Sequence, residues 1–147
     1  AWPPVVARAL AHARAHAADD AALYNGVHVN LYADASVGVA PHADKERSMV
    51  AGRTIYSYTL LADPARPRPF SVYTRDKATK LHDLPLGHGD LLEMRGAMQA
   101  EFTHGVETRR PAAAYGARIN LTVRAFLPDD APRAPKRRRG TVPRRGE

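Results

Sequence analysis

From Asn25-Gly26 to about Leu127 the chain is written as short segments of alternating side chains, cut apart by Gly, Pro and Asp. This texture constrains the fold more than any other feature. Successive side chains on a strand point to opposite faces, whereas a helix needs a period of about 3.6 residues. Val27 to Tyr32, Thr54 to Leu61, Phe70 to Thr74, Asp90 to Met94, Glu101 to Val106 and Ala117 to Leu127 are the expected strands, short and rich in β-branched and aromatic residues. Ala62 to Pro69 holds three prolines and is expected to be a loop. Ahead of the strands, Trp2-Pro3-Pro4 opens an alanine-rich stretch running to about Ala18. Proline suits a first helical turn and alanine is the best helix former, so one helix is expected there, breaking at Asp19-Asp20. One helix followed by many short strands predicts a mainly β protein, a sandwich or barrel with the helix packed outside.

With 147 residues, the chain fits one domain able to bury a core. It has no cysteine, which excludes a disulfide scaffold, zinc fingers, iron–sulfur clusters and thiol catalysis. No apolar run reaches the roughly 18 residues of a membrane span, so no membrane partner is expected. The net charge of +7 is concentrated at one end: residues 133–147 carry seven basic side chains against Glu147 alone. The expected organisation is a folded domain over residues 1–132 and a disordered basic tail over 133–147, suited to gripping phosphates or to nuclear import. An intracellular monomer is expected.

Two stretches carry chemistry. In Pro41-His42-Ala43-Asp44-Lys45-Glu46, read as extended, His42, Asp44 and Glu46 share a face. One imidazole and one carboxylate make two-thirds of a facial metal triad, the arrangement that leaves non-haem Fe(II) open to a co-substrate and O₂. By itself this short pattern also fits a polar loop. Arg118-Ile119-Asn120-Leu121-Thr122-Val123-Arg124 alternates without a fault, with Ile119, Leu121 and Val123 on the packing side. The opposite face carries Arg118, Asn120, Thr122 and Arg124, either as a solvated stripe or as a binding face. The two arginines stand roughly 20 Å apart along a strand, at about 3.3 Å per residue. Both long side chains can lean inward toward the ends of a dicarboxylate, whose geometry the guanidinium fork matches. His12 and His16 lie four residues apart on the helix and are expected to be surface histidines.

The order N-x-Y, then H-x-D-x-E, then a distal histidine, then R-x-N-x-x-x-R resembles the AlkB-type dioxygenases, which depend on Fe(II) and 2-oxoglutarate. The resemblance runs from residue 25 to about 127. The segment Gly89-Asp90-Leu91-Leu92-Glu93-Met94-Arg95-Gly96-Ala97, continuing through Gln99 to Phe102-Thr103-His104, is especially like the eukaryotic homologues that repair alkylated nucleic acid.

The resemblance implies a double-stranded β-helix, or jelly roll. It implies His42, Asp44 and His104 as iron ligands, with His104 preferred to His88, which matches a non-ligand position. It implies 2-oxoglutarate contacts at Asn30 and Tyr32, and at Arg118 and Arg124 with Asn120 and Thr122 between them. Glu46 matches the acidic position that reads the exocyclic amine of a damaged base, and Arg75 resembles a basic residue at the substrate mouth. The implied activity is oxidative removal of N-alkyl groups from bases, of the 1-methyladenine and 3-methylcytosine type, with Fe(II), 2-oxoglutarate and O₂. The implied partner is methylated nucleic acid, single-stranded or with the base flipped out. The same chemistry on a protein or tRNA substrate, and a non-catalytic nucleic-acid-binding module with a vestigial site, are the alternatives.

Overall fold

The computed structural model describes residues 1–17 and 21–128. The expected turn at Asp19-Asp20, the boundary at residue 132 and the basic tail lie outside the described residues.

Helix α1 (Pro4–His16) is followed by eight strands: β1 (Tyr24–Tyr32), β2 (Val39–His42), β3 (Ile55–Leu61), β4 (Arg68–Thr74), β5 (Lys80–Leu86), β6 (Leu91–Met94), β7 (Phe102–Val106) and β8 (Arg118–Ala125). A one-turn helix α2 (Met98–Glu101) precedes β7. The strands form two four-stranded sheets of order β1-β8-β3-β6 and β2-β7-β4-β5, with antiparallel pairing throughout. The chain passes back and forth between the sheets, which gives the double-stranded β-helix expected. Among the described residues no helix is long and apolar enough to cross a membrane.

Helix α1 covers the outer face of the first sheet. Val6, Ala9, Leu10 and Ala13, at the spacing of one helical face, pack with Tyr24, Tyr56, Leu121 and Val123. Pro4 sits in the first turn, where its missing N–H costs nothing. His12 and His16 stack on the helix surface with ring centroids 4.0 Å apart, and His12 Nδ1 meets the Tyr58 hydroxyl at 2.9 Å. Between the sheets, Ile55 and Met94 of one pack with Phe70, Val72 and Leu86 of the other. That apolar plug fills only part of the interior. Beside it, the inward face of β8 presents Arg118, Asn120, Thr122 and Arg124, all buried. The polar face of the alternating strand is therefore an interior surface and not a solvated stripe.

Three expectations need correction. Strand β4 starts at Arg68, inside the segment expected to be a loop, because Arg68 and Pro69 pair with Leu86 and Pro85 of β5. The seventh strand starts at Phe102 and not at Glu101, which closes α2. Two strands, β2 and β5, were not expected; they are the two edges of the second sheet. An edge strand has a partner on one side only and tolerates the proline that each carries and the charges of β5.

Candidate active site

Strands β2 and β7 pair with His42 directly opposite His104. The approach is close because residue 105 is glycine: a Cβ there would stand 2.6 Å from the Val39 carbonyl oxygen. Asp44 follows two residues after His42 and turns into the same space. Its backbone N–H donates to Gln99 Oε1 at 2.7 Å, which fixes the loop that carries it. Asp44 Oδ1 lies 3.7 Å from His42 Nε2, and Oδ2 lies 3.8 Å from His104 Nε2.

The donor set fits a divalent metal. One atom from each of His42, Asp44 and His104 falls in a group spanning no more than 4.8 Å. His42 Nδ1 donates to the Ala40 carbonyl at 2.9 Å, which leaves Nε2 with its lone pair facing the site. Asp44 Oδ2 is buried without a hydrogen-bond partner, as a ligand oxygen awaiting a cation is. Burial pushes the His104 pKa down to about 4, with Asp44 pulling it up and His42 and Arg124 adding to the fall. Its imidazole is thus neutral at physiological pH, the form that binds metal. Phe70 stacks on the His104 ring at 5.0 Å between centroids. His88 stands elsewhere, with Nδ1 2.9 Å from Leu61 O at the end of β3.

The histidines and Asp44 line one part of a cavity of about 360 Å³ between the sheets, which also takes in Asn30, Tyr32, Arg118, Asn120 and Thr122. Arg118 is 1% exposed and, among the described residues, has no carboxylate partner and leaves Nε and Nη1 without acceptors. Its Nη2 donates to Asn120 Oδ1 and Thr59 Oγ1, both at 3.3 Å. Asn120 is itself held, donating to Thr122 Oγ1 at 2.8 Å and to Ser57 Oγ at 3.0 Å. The guanidinium is aimed and then left with open donors, as a carboxylate receptor requires. Burial pushes its pKa down to about 10, which still leaves it charged. Burial also raises the Tyr32 pKa, so this hydroxyl keeps its proton and can donate.

Arg124 behaves differently from the other arginine of its strand. Its Nη2 donates to Asp44 Oδ1 at 2.8 Å, and its Nη1 makes a still closer contact with Glu46 Oε1. Both carboxylates expected on one face therefore meet one buried cation, and that cation is spent on them. Glu46 is 48% exposed and lines the cavity. Arg75 is exposed and lies off the cavity, reaching the backbone of Gln99 at 3.4 Å. Sequence reasoning missed Ser57 and Thr59, small polar residues without a motif, and Arg68, which sits in the segment expected to be a loop; Gln99, named only within the resembling segment, was given no role.

Residues 1–124 match the family described as the 2OG-Fe(II) oxygenase superfamily. The chain is 32% identical over 117 residues to the alpha-ketoglutarate-dependent dioxygenase alkB homolog 3 of Mus musculus, and equally so to that of Homo sapiens. Each match covers 72% of this chain but 38% of the relative, so the chain spans well under half the length of these proteins. A solved structure described as OsALKBH1 is 25% identical, covers 82% of this chain and 60% of its own, and superposes with a TM-score of 0.47. Fe(II), 2-oxoglutarate and O₂ come with the family, and the donor set and the open guanidinium fit the first two. The chain belongs to the 2OG-Fe(II) oxygenase superfamily.

Proposed function

We propose that this chain is an oxidative demethylase of N-alkylated nucleic-acid bases, of the 1-methyladenine and 3-methylcytosine type. The observation that carries the reading is Glu46. Its carboxylate lines the metal-side cavity, stays half-exposed, and is anchored through Arg124 to the same cation as Asp44. Adenine and cytosine both present an exocyclic amino donor, and a methyl group on the Watson–Crick edge adds positive charge to the base. A fixed carboxylate beside the metal triad accepts from that amine and favours that charge.

His42, Asp44 and His104 would hold Fe(II), and Arg118, set by Asn120, would receive the far carboxylate of 2-oxoglutarate, with Asn30, Tyr32 and Thr122 lining its path. Bound Fe(II) with 2-oxoglutarate and O₂ supplies the oxidising chemistry. Overall, the N-methyl base, 2-oxoglutarate and O₂ give the unmethylated base, formaldehyde, succinate and carbon dioxide. The protein's part is to bind and orient. Phe70 shields the His104 face of the site from water, and Gln99 keeps Asp44 in place. A base within a duplex cannot reach such a cavity, so the substrate is single-stranded or flipped out. Arg75, near the Gln99 backbone, and the basic tail are proposed phosphate contacts, and the tail is equally suited to nuclear import.

The test is Glu46→Ala against methylated oligonucleotides with Fe(II) and 2-oxoglutarate. The variant keeps metal, 2-oxoglutarate binding and slow substrate-free succinate formation. It loses most release of formaldehyde from methyladenine and methylcytosine. Equal demethylation by variant and parent would remove the nucleobase reading.

A further inference from the structure

Behind Tyr32, outside the cavity lining, lies a second buried guanidinium. Arg68 is 1% exposed, as fully enclosed as Arg118. Its Nη1 donates to Asp34 O at 2.9 Å, and its Nη2 donates to Val37 O at 2.5 Å and Glu107 O at 2.8 Å. These acceptors are backbone carbonyls. They solvate the charge as dipoles but do not neutralise it. No carboxylate lies within ion-pair distance among the described residues; the Asp34 carboxylate is turned to Ser36. The Arg68 Cζ stands 5.4 Å from the centre of the Tyr32 ring, and the Arg118 Cζ stands 5.7 Å from the same ring.

Two buried cations therefore share one aromatic ring, with no carboxylate of the described residues in ion-pair contact with either; the Asp34 carboxylate acts on Arg68 only from a distance. Enclosing like charges together is costly, and removing Arg68 would relieve it unless an anion is to come. Arg118 lines the cavity and has two open donors, Nε and Nη1, for that anion. Arg68 lies outside the lining with both terminal nitrogens engaged and only Nε without a partner, and it acts through its charge and through the ring it supports. We propose that Arg68 is a positioning residue for the co-substrate, a second cation that makes this end of the cavity select a dicarboxylate over a monocarboxylate. The proposal rests on the reading that 2-oxoglutarate places its far carboxylate at Arg118.

The experiment measures binding, not turnover, by calorimetry on the full chain loaded with Mn(II). The ligands are 2-oxoglutarate and 2-oxopentanoate, which has the same keto-acid end and no far carboxylate. The readout is the ratio of the two affinities. The two guanidiniums lie no more than about 11 Å apart, and at an effective dielectric near 20 a charge at that range is worth about tenfold in affinity. Arg68→Met is expected to weaken 2-oxoglutarate about tenfold and leave 2-oxopentanoate unchanged, while Arg68→Lys keeps most of the ratio. An equal loss for both ligands, or an unchanged ratio, overturns the proposal. Should Arg68→Met fail to fold, Arg68→Gln takes its place, because its amide can still donate to the carbonyls without charge. A Gln variant with the ratio of the Lys variant overturns the proposal; a collapsed ratio in Gln alone supports it. Arg118→Met separates the two levels. If it leaves 2-oxoglutarate affinity intact, the co-substrate reading falls and this proposal with it. If it abolishes the ratio while the neutral Arg68 variants do not, the Arg68 proposal falls alone.

Discussion

The two arginines at the ends of the polar stripe on β8 do different work, and paired substitutions separate them. Arg124→Met keeps the apolar stem and removes the cation that meets Asp44 Oδ1 at 2.8 Å and also binds Glu46. Asp44, with its side chain only 5% exposed, is then a buried carboxylate beside two imidazoles without a cation. Breaking a buried pair in this way costs about 3–5 kcal/mol, and the half-exposed Glu46 contributes the smaller share. At roughly 2–4 °C per kcal/mol for a chain of this size, the metal-free variant should melt about 6–20 °C below the parent. A divalent cation at the triad supplies the charge that Arg124 gave. Mn(II) should therefore raise the Tm of the variant more than that of the parent. With the metal saturating, its 2-oxoglutarate affinity should stay within a few-fold of the parent. Arg118→Met should show the reverse: little change in metal binding, and a loss of charge-assisted hydrogen bonds worth about 1.5–3 kcal/mol, or tenfold to a hundredfold in 2-oxoglutarate affinity. Thermal melts with and without Mn(II), followed by calorimetry with 2-oxoglutarate, give all four numbers. If Arg124→Met weakens 2-oxoglutarate as much as Arg118→Met at saturating metal, Arg124 is a co-substrate residue and its contact with Asp44 is incidental.

Other outcomes follow from the same geometry. Asp44→Ala should lower Mn(II) affinity by more than about a hundredfold, beyond what the loss of a supporting residue costs; equal titration curves for variant and parent would remove the site assignment. The buried His104 gives the metal-free protein a pH dependence. Its folded pKa is about 4 against an ordinary 6.5, so the unfolded chain binds the extra proton first. Stability is full above about pH 6.5 and is lost as the pH falls toward 4, by about 3 kcal/mol in all at 1.36 kcal/mol per pKa unit. Urea melts at several pH values should show a shallower loss in His104→Gln, and identical slopes would refute this.

How much of this was legible in the sequence depended on whether a residue's surroundings were local. Helix α1 and the strands flanking the cavity were legible because their periods are local properties: Val6, Ala9, Leu10 and Ala13 pack with Leu121 and Val123 as expected, whereas Ile119, expected on the same packing side, is 37% exposed and outside that cluster. The two unforeseen strands, Val39–His42 and Lys80–Leu86, form the edges of one sheet. An edge strand is free to break the pattern because half its hydrogen bonds and much of its surface face outward, and Lys80, His82 and Asp83 use that freedom. The metal-ligating residue types and the polar face of β8 were also visible. The partner of Arg124 was not, because Asp44 and Glu46 come from a segment about eighty positions away and only the fold decides which cation meets them. Arg68 was hidden more completely. Prolines on both sides gave it the look of a loop residue, while the fold buries it among backbone carbonyls.

The charge layout that results also fixes a direction. Along β8 the inward face runs from an arginine with open donors, through Asn120 and Thr122, to an arginine already committed to carboxylates. The Arg118 end is short of negative charge, and Arg68 deepens that shortage. The other end gathers Asp44, Glu46 and two imidazoles around a single guanidinium, a donor set that fits a divalent cation. Arg124 is engaged by Asp44 and Glu46, which leaves Arg118 as the arginine of this strand with both Nε and Nη1 open to a dicarboxylate. A dicarboxylate entering this cavity meets one favourable orientation, with one carboxylate on Arg118 and the other end toward the triad. Reversal of that end preference needs no loss of fold: Arg118→Glu should repel the dicarboxylate while the triad still titrates with Mn(II). An Arg118→Glu variant that binds 2-oxoglutarate as the parent does would show that orientation is set elsewhere.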